Sequence, residues 1–121
     1  MTPTTKQTAD LGVALKFDSG KPPMHFLPAV ALSGAANVFG YGAVKYASYN
    51  WMKGLAWTRL YDAALRHMTA FMYGEDTDQE SGLPHLDHAL CCLMMLRANY
   101  EFRKDLDDRP PRMEQPNVSS P

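Results

Sequence analysis

The 121-residue chain lacks a long apolar run, a charge imbalance and a set of cysteines able to form a disulfide framework. No apolar stretch approaches the ~20 residues that a membrane-spanning helix needs. The 12 Lys and Arg residues nearly balance the 13 Asp and Glu residues, so the formal net charge is −1. General binders of nucleic acid or membranes usually carry a strongly basic face. We therefore expect neither as a partner, whereas small acidic ligands such as nucleotide phosphates are compatible with this composition.

Cysteine usage and the first residues bear on the compartment. Cys91 and Cys92 are adjacent within a helical pattern, and this excludes a disulfide framework. Residues 1–12 are polar and lack the apolar core of a secretory signal. We expect a cytoplasmic protein.

Alternation of apolar and polar residues over the length of a strand is also missing, so we predict an all-α fold. The helical domain is predicted to span residues 16–104. Residues 1–15 and 105–121 are predicted to be flexible segments, because they contain too little apolar surface to offset the entropy cost of ordering.

Three helices are predicted within this domain. The first follows Pro28 and is rich in small residues between positions 34 and 42, where another backbone or a ligand can approach closely. The second runs over 57–73 and the third from Pro84 to about Arg103, and the ten-residue link predicts antiparallel neighbours. The stripes predicted to face the core are Trp57, Tyr61, Ala64, Met68 and Phe71, then Leu86, Ala89, Leu90, Leu93 and Tyr100.

The junction between the second and third helices concentrates residues that could hold a metal ion. His85 and His88 fall at i and i+3 on one helix face, and an antiparallel neighbour brings His67 towards them. The turn adds four carboxylates, namely Glu75, Asp76, Asp78 and Glu80. Carboxylates favour Mg²⁺ or Mn²⁺. Zinc would instead favour His67, His85, His88 and Cys92. The alternative without a metal is a solvated turn beside histidines with ordinary hydrogen bonds.

Cations and aromatic residues complete what a nucleotide site would need. Positive side chains that could contact phosphates are Lys16, Lys21, Lys45, Lys53, Arg59 and Arg66. Aromatic candidates for contact with a base are Tyr41, Tyr46, Trp51 and Trp57. Taken one at a time, surface solvation of the cations and core packing of the aromatics are the commoner roles.

Several ordered blocks of the chain resemble a known family. They read KFDSGKPPMHFLP, then FGYGAVKYASYNW, then YDAALRHMTAFMYGEDTDQESGLPHLDHALCCL. Together they resemble the dATP/dGTP diphosphohydrolase family of phages and bacteria, a MazG-like group. The resemblance implies a compact all-α bundle and a Mg²⁺-dependent enzyme. It also implies cleavage of a purine deoxynucleoside triphosphate to its monophosphate and pyrophosphate, in the remodelling of a phage nucleotide pool.

The site residues that the resemblance implies by motif are Lys45, Tyr46, Asn50, Trp51, Arg66, His67, Glu75, Asp78, Glu80, His85 and His88. The chain also departs from the family pattern at one point. MazG-type enzymes typically hold their metal with Glu-x-x-Glu on one helix and Glu-x-x-Asp on the next. Here the corresponding helices offer Asp62 and His67, then His85, Asp87 and His88. The metal shell has therefore changed or moved into the turn.

The combined prediction assigns three groups of residues. The catalytic residues are His67, Glu75 and Glu80; the substrate-binding residues are Lys16, Lys21, Lys45, Tyr46, Asn50, Trp51 and Arg66; the metal ligands are Glu75, Asp78, Glu80, His85 and His88.

Two other functions and the assembly state remain to be distinguished. One alternative is a histidine-aspartate-type metal phosphohydrolase acting on nucleotides, using His67, His85, Asp87 and His88. The other is a helical oligomerisation module without catalysis, in which the small residues at 34–42 and Met94 and Met95 contact a partner. A chain of about three helices leaves apolar faces uncovered, so we predict a homodimer or homotetramer.

Overall fold

Three helices make up the architecture of the part that the computed structural model describes, residues 12–112. They are α1 (Ala29–Lys45), α2 (Trp57–Met72) and α3 (His85–Phe102). Short 3-10 turns occur at Met24–Phe26, Asn50–Lys53 and Lys104–Leu106. No strand occurs among the described residues, so the prediction of an all-α fold is confirmed. Residues 1–11 and 113–121, most of the predicted flexible segments, lie outside the described part.

The helix ends follow from local sequence. Pro28 precedes α1 and its carbonyl accepts the first bonds of the helix, a position where the missing proline N–H costs nothing. Gly74 ends α2 with φ +99°, and Gly74 N–H donates to Phe71 O while Glu75 N–H donates to Ala70 O. This pair of bonds is the Schellman motif, which requires a left-handed residue and therefore favours glycine. It fixes the direction in which the chain leaves α2.

The packing places α3 against both other helices. It is antiparallel to α2, as predicted, because His67 meets His85 at one end of the pair and Trp57 meets Tyr100 at the other, and it also contacts α1. Gly34 of α1 lies so close to the Asp87 carboxylate that a Cβ atom at position 34 would overlap with it. One small residue therefore sets the approach of α1 to α3.

The prediction of which faces are buried is only partly correct. Trp57, Ala64 and Ala89 are buried, but Tyr61 is 58% exposed and Leu93 is 54% exposed. The buried residues of α3 are His85, His88, Ala89, Cys91, Cys92 and Asn99. The face of α3 that meets α1 and α2 is thus the one with histidine and cysteine, and most of its leucine stripe points outward. Among the described residues, no large side chain is less than 2% exposed.

Contacts continue beyond Lys104, the predicted end of the domain. The Asp108 carboxylate accepts hydrogen bonds from Thr58 N–H and Thr58 Oγ–H, at 2.9 and 2.6 Å, at the first turn of α2. This distant carboxylate satisfies an N–H group that has no partner within the helix. None of the helices in residues 12–112 has the length and apolar character needed to cross a membrane.

Candidate functional site

Three histidines meet where α2 and α3 join the turn between them. The Nδ1 atoms of His67 and His85 lie 2.9 Å apart. The ring of His88 stacks on that of His67, with centroids 4.4 Å apart and planes 9° from parallel. The antiparallel helix pair therefore brings together the three imidazoles that the sequence separates by up to 21 positions.

Glu75 fixes the orientation of His85. Its Oε1 atom lies 2.6 Å from His85 Nε2. A carboxylate accepts, so Nε2 carries the proton and the neutral ring has its lone pair on Nδ1, the atom that faces His67. The Schellman motif positions Glu75 for this contact, because Glu75 supplies the last N–H of that motif.

A compact turn holds Asp78 and Ser81 beside the histidines. The Asp78 carboxylate accepts from Ser81 N–H at 2.9 Å, and the backbone of Asp78 bonds to Leu83 and Gly82. Ser81 Oγ lies 2.6 Å from His88 Nε2 and accepts from Leu83 N–H. The hydroxyl proton of Ser81 is therefore available for donation to His88 Nε2.

Three side chains of this cluster could hold a metal ion. His67, Asp78 and His85 each offer one ligand atom, and these atoms lie within 4.8 Å of one another. They come from α2, the turn and α3 respectively, so the fold itself assembles the group. Two nitrogen donors and one oxygen donor fit a divalent metal ion with coordination positions left for water and substrate.

Burial, hydrogen bonds and neighbouring charges favour the metal-binding forms of His67 and Asp78. Burial lowers the pKa of His67, and positive charge on His88 or His85 would lower it further. Burial also lowers the pKa of His88, against the opposing effect of Asp78. For Asp78, burial acts to raise the pKa. The hydrogen bonds from Ser81 and the positive charge of His88 and His67 outweigh this effect, so the pKa is lowered overall. Neutral imidazoles and an ionised carboxylate are the species required of ligands.

A pocket of about 860 Å³ opens beside the histidines. His67, Asp78 and His88 line it, and so do Cys91 and Cys92. This volume lies in the range of small-molecule and cofactor sites.

Two donors converge on one carboxylate oxygen in the same pocket. Lys45 Nζ lies 2.6 Å and Tyr41 Oη 2.9 Å from Glu80 Oε2. The pKa of Lys45 is raised by its hydrogen bond to Glu80, and that of Glu80 is lowered by its bonds from Lys45 and Tyr41. Lys45 and Tyr41 thus form a binding site for an anionic oxygen, and Glu80 Oε2 occupies this site in the structure.

Aromatic side chains also line the pocket. Phe39 and Trp51 meet edge to face with centroids 5.9 Å apart. Tyr46 and Tyr49 also line it and are mostly exposed, at 64% and 72%. Tyr49 is the one non-glycine residue with positive φ among residues 12–112, and such strain persists where the surroundings or the function require it.

The pocket collects most of the residues predicted from the sequence. Among the predicted substrate-binding residues it contains Lys45, Tyr46, Asn50, Trp51 and Arg66, and among the predicted metal ligands Asp78, Glu80 and His88. Lys16 and Lys21 are exposed and do not line it.

Some of the predicted ligands have other partners in the structure. Glu75 contacts His85, and Glu80 contacts Lys45 and Tyr41. Neither glutamate belongs to the group formed by His67, Asp78 and His85.

Sequence reasoning missed the hydroxyl groups. Tyr41 is predicted only as an aromatic surface, although its spacing of four from Lys45 places both on one helix face. Ser81 gives no signal in the sequence, because its contact with His88 depends on the conformation of the turn.

In this all-α fold, aromatic side chains, cations and imidazole and carboxylate donors meet in one pocket, a combination that suits an enzyme. The family model described as dATP/dGTP diphosphohydrolase, N-terminal, matches residues 12–109, and the chain belongs to this family. It is 37% identical over 95 residues to a dATP/dGTP diphosphohydrolase of Salmonella phage PMBT28, covering 78% of this chain and 32% of the relative. The chain thus spans about a third of the length of that relative. No solved structure matches it significantly.

Proposed function

We propose that this chain hydrolyses a purine deoxynucleoside triphosphate, dGTP or dATP, to the monophosphate and pyrophosphate. One observation carries the proposal. A single pocket is lined by aromatic side chains, by the cations Lys45 and Arg66, and by two members of the group that could hold a metal, His67 and Asp78. The relative described as a dATP/dGTP diphosphohydrolase supports it. The physiological role would be the remodelling of a phage nucleotide pool in the host cytoplasm.

The parts of the substrate correspond to the parts of the pocket. The base would lie against Trp51 and Tyr46, since aromatic faces stack on any purine, and the Asn50 amide would bond to its edge. The triphosphate would extend towards Lys45 and Arg66. Lysine acts as a point charge, and arginine offers a fork that matches phosphate oxygens.

The chemistry requires attack of a water oxygen on the α-phosphorus and cleavage of its bond to the bridging oxygen of pyrophosphate. A divalent ion at His67, Asp78 and His85 would polarise phosphate oxygens and acidify water. His88 lines the pocket beside this group and would receive the water proton by way of Ser81: Ser81 Oγ, 2.6 Å from His88 Nε2, would take the proton of the water as its own proton passes to Nε2. Lys45 and Arg66 would offset the charge on the departing pyrophosphate. Catalysis by His67, Glu75 and Glu80, as predicted from the sequence, stays a prediction.

The test is an assay of all common nucleoside triphosphates in which every product is separated. We expect dGMP or dAMP with pyrophosphate, and in ¹⁸O-labelled water the label in the monophosphate. Recovery of dGDP with phosphate would contradict α/β cleavage. His88→Ala should lose most of kcat, whereas His25→Ala, an exposed histidine outside the pocket, should not.

The histidine-rich donor set also favours a second candidate, a histidine-aspartate-type phosphohydrolase. That function would use Asp87 together with the histidines, but the Asp87 carboxylate lies against Gly34 of α1 and does not belong to the donor group. Release of nucleoside with triphosphate in the same assay would favour this second candidate over our proposal.

Self-association is the last part of the proposal. Leu93, Met94 and Phe102 are exposed along α3, as are Leu65 and Met72 along α2. Apolar surface of this extent is typical of an interface. We propose a homodimer or homotetramer. The alternative function, an oligomerisation module without catalysis, would use the same surface but would not hydrolyse nucleotide.

A further inference from the structure

The family resemblance implies Mg²⁺, but the donor group of this chain, His67, Asp78 and His85, has a chemistry that suits other metal ions better. Mg²⁺ takes oxygen ligands in octahedral geometry and usually keeps several of its waters. Of the three donor residues that the fold brings within 4.8 Å, two are imidazoles and only Asp78 offers oxygen. Imidazole nitrogen suits zinc, iron, cobalt and nickel far better than magnesium.

Carboxylates that would favour Mg²⁺ are present nearby, but they have other partners. Glu75 accepts from His85 Nε2 at 2.6 Å. Glu80 accepts from Lys45 and Tyr41 in the pocket. If Glu75 bound a metal instead, His85 would lose the acceptor that orients its ring. If Glu80 did so, Lys45 would lose its counter-charge.

The contact of Glu75 with His85 has the geometry of an outer-sphere ligand. In metalloproteins, a ligating histidine usually donates its second ring N–H to a carboxylate or carbonyl, which fixes the ring and makes the ligating nitrogen more basic. His85 meets this condition with Nε2 on Glu75 and Nδ1 facing His67 Nδ1 at 2.9 Å. That separation lets both nitrogens bind one ion at the usual metal–nitrogen length of about 2.0–2.1 Å.

We propose that this site selects a divalent transition-metal ion over Mg²⁺, through His67 Nδ1, His85 Nδ1 and one Asp78 carboxylate oxygen, with Glu75 as the positioning residue for His85. His88 and Cys92 stay outside the coordination shell. His88 stacks on His67 and bonds to Ser81, and Cys92 is not part of the donor group. Three protein ligands leave positions for water and for a phosphate oxygen.

The inference deepens the proposed function, because it names the ion that would serve the hydrolysis, but its test needs no nucleotide. Protein stripped with a chelator is titrated with Co²⁺ in the presence of millimolar Mg²⁺, and the visible absorption of the cobalt is recorded. We expect saturation at one Co²⁺ per chain, no thiolate-to-cobalt charge-transfer band, and displacement of Co²⁺ by Zn²⁺.

Variants separate ligands from the positioning residue. His67→Ala, His85→Ala and Asp78→Asn should each weaken Co²⁺ binding by at least about 100-fold, and Glu75→Gln by about 10- to 100-fold with the spectrum kept. Matched controls are His25→Ala and Glu101→Gln, whose side chains lie outside the cluster and should bind Co²⁺ like the parent. Circular dichroism of each metal-free variant identifies any that fails to fold, and for such a position the Asn or Gln substitution is used.

Unchanged Co²⁺ affinity in Glu75→Gln would overturn the positioning role. Stoichiometric Mg²⁺ binding that excludes Co²⁺, or loss of the metal in Glu80→Gln but not in His85→Ala, would overturn the choice of ion and ligands. A protein that binds Co²⁺ as described but leaves dGTP intact would contradict the proposed function alone. A protein that hydrolyses dGTP with Mg²⁺ and ignores Co²⁺ would contradict this inference alone.

Discussion

Lys45 is the cation of the pocket whose partner the structure shows. Its ammonium and the Tyr41 hydroxyl share one Glu80 oxygen, and an incoming phosphate oxygen would compete for the same two donors. We expect Lys45→Ala to raise KM for dGTP by about tenfold or more, because a hydrogen bond to a charged group is lost. Steady-state kinetics measures this, with Lys53→Ala as the control, since Lys53 is exposed outside the pocket.

Glu80→Gln tests the same competition between Glu80 and phosphate by removing the charge of Glu80. Loss of the carboxylate should lower KM while Co²⁺ binding stays intact, because the donors become available to phosphate. A rise in KM together with weaker metal binding would instead support the role of metal ligand that the sequence predicts for Glu80.

Cys91 is expected to be unreactive in the folded protein. Burial raises its pKa to about 12, and Cys92 adds to the shift. The thiolate is the nucleophile, so at pH 8 alkylation by iodoacetamide should be roughly a thousandfold slower than for a thiol of ordinary pKa. The rate should rise about tenfold per pH unit over the range in which the protein stays folded, as the thiolate fraction does. Mass spectrometry of adducts measures it, and rapid labelling of native protein at pH 8 would contradict the prediction.

At the scale of helices, Gly34 controls how closely α1 approaches α3. Gly34→Ala should destabilise, because the new Cβ must displace the Asp87 carboxylate. A Cβ atom added at Gly40 would meet nothing within 4 Å, so Gly40→Ala should stabilise the helix by about 0.5–1 kcal/mol. Chemical denaturation compares the two free energies of unfolding. Asp87→Ala should remove the penalty of Gly34→Ala, and equal stability of the two glycine variants would refute the close contact.

The helices are the part of the structure that the sequence predicts best. Pro28, Gly74 and Pro84 mark helix ends by backbone properties that need no tertiary information, and the observed ends follow them closely. The junction of α2 and α3 is also predictable as the place where the histidines meet, since two adjacent helices and a short link leave few arrangements.

The burial of α3 and the ligand set could not be predicted in the same way. A periodic stripe such as Leu86, Leu90 and Leu93 shows that one face is apolar, but not whether its own chain covers that face. The roles of Glu75 and Glu80 depend on which partner each carboxylate reaches, and the conformation of the turn decides this. Composition favours carboxylate ligands, whereas geometry groups His67 and His85 with Asp78.

At the scale of the whole molecule, the apolar face of α3 is the feature that requires explanation. Leu93 is 54% and Phe102 81% exposed in the single chain. We expect sedimentation velocity at tens of micromolar (roughly) to show a dimer or tetramer, and Leu93→Glu to weaken association by at least about tenfold through burial of a charge. Arg59→Glu, an exposed change on α2, is the control. A monomer for the parent protein would contradict self-association.

The turn that connects α2 to α3 supplies Asp78 to the site, and its own length is constrained by hydrogen bonds. Its backbone is closed by bonds from Asp78 N–H to Leu83 O, from Gly82 N–H to Asp78 O and from His85 N–H to Asp76 O, at 2.8, 2.8 and 2.9 Å. Surface loops ordinarily tolerate insertions. Here one residue inserted between Asp78 and Leu83 would break these closing bonds and displace Asp78 relative to His85. Such an insertion, natural or engineered, should therefore abolish the site while leaving all three helices intact.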